Sequence, residues 1–176
     1  MRINVTDEIK GRCWNYLQNN TMANRGEFDG DKIKQFTGLV GEVVVGSIFG
    51  HPISFGDGFD GGYDFMIGDL KVDVKTMGRN VEPRDYYVNN FVGFQKDYDC
   101  DIYIFTSLNK KTSMLTICGW VTKEELFNRS EFYEKGEVRH RGDGSKFKTE
   151  ADLYEIENSD LNSISELINK YKNSLK

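Results

Sequence analysis

The stretch Gly61–Gly78, GGYDFMIGDLKVDVKTMG, decides how this chain is read. Two short strand-like runs flank a Gly-Asp pair, and each run carries an aspartate where a strand prefers an apolar side chain. Gly68-Asp69 fits a two-residue β-turn, with Gly supplying the positive φ that primed turns need. That turn fixes the register. Ile67 faces Leu70, Met66 faces Lys71, Phe65 faces Val72 and Asp64 faces Asp73. Side chains alternate between the faces of a strand. One face is then Phe65, Ile67, Leu70, Val72 and Val74, an unbroken apolar set expected in the core. The other carries Asp64, Met66, Lys71, Asp73 and Lys75. A slip of one residue would move the apolar set to the wrong face, so the pairing is well specified.

Directly opposed strand residues have Cβ atoms roughly 4.5–5.5 Å apart, and like charges there are destabilising. A divalent cation between Asp64 and Asp73 removes that penalty, and hard oxygen ligands suit Mg²⁺ or Mn²⁺. Lys75 lies two residues on, on the same face, within reach of a phosphate or of a water on the metal. The alternative is a solvent-facing strand whose acids and bases pair as surface ions. Surface strands normally set opposite charges across from each other, and opposed aspartates depart from that habit.

Upstream, Thr6 caps an expected first helix, with Asp7 and Glu8 in its first turn and Ile9, Cys13, Tyr16 and Leu17 at helical spacing. A second helix is expected from near Asp31, with Ile33, Phe36, Val40, Val43, Val44 and Ser47 as its core stripe. Gly38, Gly41 and Gly46 are unusual inside a helix, each costing about 1 kcal/mol against Ala. Such small residues let a helix approach a sheet closely. Downstream, residues 79–99 are expected to form a loop and then a helix containing Gln95. Asp101–Leu108 and Ser113–Trp120 read as paired strands around the turn Asn109-Lys110-Lys111. Thr122 and Glu125 make a capping box that opens a short helix, and Leu161, Ile164, Leu167, Ile168 and Tyr171 share a helical face in the tail. Residues 130–150 read as polar and irregular.

Asp64, Asp73-Val74-Lys75 on the next strand, and Gly41-Glu42 on a preceding helix together resemble the PD-(D/E)XK nuclease superfamily, whose fold is called restriction endonuclease-like. The resemblance covers about residues 31–120. It implies an α/β fold, a mixed β-sheet flanked by helices in the order helix, three strands, helix, strand, which matches the order read from Asp31 to Leu108. The stretch ICGWVTKEELF and the small size are similar to phage-encoded members, which implies a cytoplasmic location. Carried over residue by residue, the resemblance implies that Asp64, Asp73 and Glu42 hold Mg²⁺ or Mn²⁺, with Val74 between the motif residues also counted among the metal ligands. It implies that Lys75 orients or activates the attacking water, and that Gln95 takes the place of a helix glutamine found in some members. Gly62-Tyr63 stands where the family name has a proline. The implied activity is metal-dependent hydrolysis of DNA, with a homodimer as one arrangement. A non-catalytic module binding nucleic acid or protein, and a Holliday-junction or other structure-specific resolvase, are the alternatives.

The rest of the composition bounds these expectations. At 176 residues the chain reads as one domain, with no internal repeat, signal peptide or apolar run long enough for a membrane span. Cys13, Cys100 and Cys118 lack paired spacing and read as reduced thiols, and His51 and His140 are far apart, so neither a structural zinc site nor a His-based triad is expected. The loop at Asp57 lacks the ligands of a calcium-binding EF-hand, and no GxxxxGK[ST] follows Gly38 and Gly41. The net charge of −5 and pI near 5.2 predict modest, salt-sensitive affinity for nucleic acid. Arg79 and Arg84 beyond the motif strand, and Arg139, Arg141, Lys146 and Lys148 in the basic stretch, are the candidate phosphate contacts; the second group reads equally as a solvated surface loop.

Overall fold

The computed structural model describes residues 1–19, 31–51, 62–140 and 144–171. The hairpin forms in the expected register: β2 (Phe65–Ile67) pairs antiparallel with β3 (Leu70–Arg79) through Phe65↔Val72, Met66↔Lys71 and Ile67↔Leu70. Gly68 takes φ 60° while Asp69 keeps a negative φ, the pattern of a type II′ turn. Ile67, Val72 and Val74 are buried, with Phe65 and Leu70 packed against them.

Around this hairpin lies a five-stranded mixed sheet in the order β1-β6-β5-β3-β2. Its other strands are β1 (Arg2–Asn4), β5 (Ile102–Asn109) and β6 (Met114–Thr122). Only β3 and β5 run parallel. Every residue of β5 is buried because both faces of the sheet are covered, the usual situation of a central strand in a two-sided sheet. On one face pack the helices α1 (Asp7–Asn19), α2 (Lys32–Ile48) and α4 (Ile164–Tyr171), against Val72, Val74, Ile102, Ile104 and Leu115. The opposite face carries Tyr103, Phe105 and Val121. It is covered by α3 (Lys123–Arg129) and by a second sheet in the order β4-β10-β7, formed by β4 (Val88–Val92), β7 (Glu131–Tyr133) and β10 (Leu153–Glu157). A two-stranded ribbon, β8 (Val138–His140) with β9 (Lys146–Lys148), completes the described elements.

The helix ends follow the expected local chemistry. Thr6 Oγ1 accepts the Ile9 N–H at 3.3 Å, and Asp31 Oδ1 accepts the Lys34 N–H at 2.8 Å. At α3, Thr122 and Glu125 exchange both bonds of the capping box.

Four expectations need correction. Ile33 and Ser47 are exposed, and the stripe that α2 buries runs through Thr37, Leu39, Val40, Val43, Val44 and Val45. The helix expected around Gln95 is a short 3-10 helix, Gly93–Asp97, preceded by the unforeseen strand β4. The segment 130–150 holds three short strands, because its main chain finds partners in β10 and within the β8–β9 ribbon. Strands β1 and β10 were also unforeseen.

Candidate functional site

The close approach of α2 to the sheet positions the first site residue. A Cβ on Gly41 would lie 1.8 Å from Thr76 Oγ1 and 3.1 Å from Thr106 Oγ1, so only hydrogen fits between helix and sheet. Thr106 Oγ1 donates to Thr76 Oγ1 at 2.8 Å, which holds the facing hydroxyls in place. Glu42, the next residue on α2, is thereby held half-buried near the motif strands. Its Oε1 lies one turn back along the helix, 3.8 Å from where a Gly38 Cβ would be. Replacing Gly41 by Ala forces a shift of α2 or of Thr76. The variant is expected to lose about 1–3 kcal/mol, the usual range for overpacking, read as a lowered midpoint in denaturant.

Asp64 sits just before β2 and does not extend the ladder opposite Asp73, which corrects the facing pair expected from the hairpin. Its N–H donates to Val72 O at 2.8 Å, and its Oδ2 accepts the Val74 N–H at 2.7 Å. The physical reason is local: β2 begins only at Phe65, which leaves Val74 without a strand partner on that side, and the carboxylate supplies the acceptor. Within a strand, the N–H and C=O of one residue point the same way. The Val74 carbonyl therefore points to the same edge as Asp64.

Asp73 and Lys75 project from the other face of β3, away from Val74. Asp73 is 6% exposed, and Lys75 Nζ donates to its Oδ2 at 2.6 Å. Lys75 also lies 6.0 Å from the Phe91 ring of β4, so the second sheet shelters the pair. Burial opposes charge on Lys75, yet Asp73, Asp64 and Glu42 together push its pKa above the ordinary lysine value. Lys75 is an ammonium at neutral pH, a donor and a positive charge rather than a base. Asp64 is displaced the opposite way to a salt-bridged acid. Burial, then Glu42, then Asp73 raise its pKa well above the usual carboxylate range, against the opposing pull of Lys75 and of the Val74 N–H.

The fold thus places Glu42 and Asp73 where their charges act on both Asp64 and Lys75, at the edge of the main sheet where β2 begins. Comparison with protein-family models, curated proteins and solved structures gives no match for this chain.

Two residues that the sequence did not single out belong to the same neighbourhood. Tyr103 is the register partner of Asp73 on β5 and is fully buried, its pKa raised by burial first and also by the charge of Asp73. Cys100 is pushed up to about 12 by burial and by Asp73, so it remains a thiol. Only the parallel pairing of β3 with β5 places them there, and periodicity along one strand carries no signal of it.

Three carboxylates share one ammonium here, and all are hard oxygen donors of the kind that suit Mg²⁺ or Mn²⁺. As a set of donor chemistries they fit such an ion. As placed, the side chains are turned to protein partners, Asp73 to Lys75 and Asp64 to Val74, and no three His, Cys, Asp or Glu among the described residues are grouped as a metal shell.

The candidate phosphate contacts are dispersed. Arg79 is half-buried, donates from Nη2 to Val88 O at 2.6 Å and stacks over Tyr87, with its pKa lowered by burial. Arg139 is held by Glu155 at 2.5 Å and lies over the Tyr133 ring, so its guanidinium serves the second sheet rather than standing out as a phosphate contact. Arg84 is exposed beside Tyr86, Lys146 and Lys148 are exposed on β9, Gln95 is half-buried on the 3-10 helix, and Arg141 lies outside the described residues.

The Asp64 displacement has a pH consequence. A carboxylate whose folded pKa is raised binds its proton more tightly in the folded state, so its contribution to stability is full at low pH. That contribution is lost as pH rises from about 4, the ordinary aspartate value, through the raised value. In EDTA, the midpoint of wild type is therefore expected to fall relative to Asp64→Asn as pH rises from about 4 to about 8. A difference that stays flat, or slopes the other way, would show that Asp64 is not held in this way.

Proposed function

We propose that this protein is a Mg²⁺-dependent endonuclease of restriction endonuclease-like fold that hydrolyses DNA phosphodiester bonds. The observation that carries the reading is the Lys75–Asp73 ion pair at 2.6 Å beside the Asp64 carboxylate held by the Val74 N–H, with the charge of Glu42 on α2 also felt by Asp64 and Lys75. The element order supports it: α2, β2, β3, β4, the 3-10 helix and β5 follow the sequence helix, three strands, helix, strand. The support is partial, because β4 belongs to the second sheet and the second helix is short.

In this reading Glu42, Asp64 and Asp73 hold the cation, with the Val74 carbonyl at the same edge. A Mg²⁺ held there would lower the pKa of a water and offset charge on the scissile phosphate. Lys75, kept protonated by its acidic neighbours, donates to the attacking water or to a phosphate oxygen and adds positive charge where negative charge grows. The shelter of Phe91 over Lys75 reduces water there and strengthens that interaction. Val74 N–H fixes the orientation of the Asp64 carboxylate.

A second reading is favoured by one observation. The Lys75–Asp73 pair and the Asp64–Val74 bond satisfy the site internally, as a non-catalytic module of the same fold would. The two readings separate in a cleavage assay on supercoiled circular, linear and single-stranded DNA with Mg²⁺, Mn²⁺ or EDTA. Metal-dependent products are expected from a nuclease, and their distribution over the three forms separates duplex from single-strand or structure-selective cutting. DNA binding without cleavage of any form would favour the binding module.

A further inference from the structure

At the far end of β3 from Asp73, a cavity of about 220 Å³ opens between α1, α2 and the turn joining β5 to β6. Its walls are mostly apolar, formed by Phe36, Val40 and Leu108, with Ile33 exposed at 61% beside them. Two ammonium groups, those of Lys10 and Lys110, belong to the same lining. Lys10 is anchored by Asp7 at 2.7 Å and donates to Ser113 Oγ at 3.1 Å. Lys110 is exposed and has no acidic partner among the described residues. Glu82, which accepts from Asn109 of the lining, is also engaged by Arg2.

Ser113 closes the turn between β5 and β6 at the lining of the cavity. It holds φ 56°, a left-handed conformation that L-residues other than Asn and Asp rarely adopt. It is the conformation that returns a hairpin loop to its second strand. Here the residue receives Lys10 at the rim, and its carbonyl accepts the Val5 N–H at 2.9 Å. An apolar cavity with one uncommitted cation at its mouth is complementary to a small molecule with an apolar body and one negative end.

We propose that this cavity binds a small organic monoanion, its apolar body against Phe36, Val40 and Leu108 and its acid group at Lys110. The site is separate from the acidic edge around Asp73: Gly78, which faces Thr37 and Lys110, lies five residues further along β3, roughly 16 Å away at strand rise. Its test is therefore independent of the nuclease reading.

The test uses hexanoate as the probe, with hexanol and hexylamine as length-matched neutral and cationic controls, followed by amide chemical shifts of the whole protein. Hexanoate is expected to saturate with a Kd of about 1 mM, the scale for so small a ligand, and to shift residues of α2 and of the β5–β6 turn. Two surface variants keep the result interpretable without disturbing the fold. Lys110→Met removes the cation, and Ile33→Glu adds a negative charge beside the cavity. Each is expected to weaken hexanoate at least about fivefold, and Lys110→Met, which leaves the apolar wall intact, is expected to leave hexanol unchanged. Absence of saturable hexanoate binding, equal binding of hexylamine, or indifference to both variants would overturn the proposal.

Discussion

Replacing Asp73 by Ala is expected to lower metal-dependent DNA cleavage by at least about 10³-fold, close to 4 kcal/mol of transition-state stabilisation. Asp73 is 6% exposed, it is the direct partner of Lys75, and its charge contributes to the raised pKa of Asp64. Its removal takes away a candidate metal ligand and frees Lys75 from its fixed position. Losing the ion-pair partner of the buried Lys75 also lowers stability, offset in part because repulsion on Asp64 is relieved and Lys75 keeps Asp64 and Glu42 as neighbours. The two effects are read separately, by initial cleavage rate and by thermal midpoint. A variant that cuts within about tenfold of wild type would remove Asp73 from the machinery.

The largest effect on stability is expected away from the site, at Arg139. Glu155 is a 7% exposed carboxylate on β10, facing Glu131 on β7 and Asn90 on β4. Arg139 neutralises it at 2.5 Å and packs on the Tyr133 ring at 3.7 Å. Arg139→Ala strands a buried negative charge beside another acid, at an expected cost of about 2–4 kcal/mol. For a chain of this length that is a fall of roughly 5–15 °C in Tm. Adding Glu155→Gln to the same variant should recover much of the loss, since the stranded charge is then gone. Loss below about 0.5 kcal/mol would place the pair among ordinary surface ion pairs.

Much of the main sheet and of the site was legible because single elements carried their own signal. The hairpin register followed from a glycine turn and an unbroken apolar face, and the starts of α1, α2 and α3 followed from capping side chains. Gly41 signalled close helix–sheet contact, and the contact with Thr76 is there. The second sheet was hidden for the opposite reason. Strands β4 and β10 place Asn89 and Glu155 at buried positions, so their apolar alternation is broken. The Asn89 amide N–H and the Glu155 carboxylate find distant partners, Ile156, Asn158 and Arg139, which no local pattern announces. Strand β1 is three residues long and exists through its pairing with β6. At Asp64 the residue was legible and the geometry was not, because a strand-end carboxylate turned to an unpaired N–H.

The most direct measurement is the initial rate at which closed circular DNA is opened by wild type and by Lys75→Met, as Mg²⁺ is titrated into protein first stripped with EDTA. Activity should be absent in EDTA and appear with Mg²⁺ in wild type alone, because Glu42, Asp64 and Asp73 jointly hold Lys75 charged. Opening of the circle in EDTA, or an equal rate from Lys75→Met, would contradict a metal-dependent hydrolytic centre at this edge of the sheet.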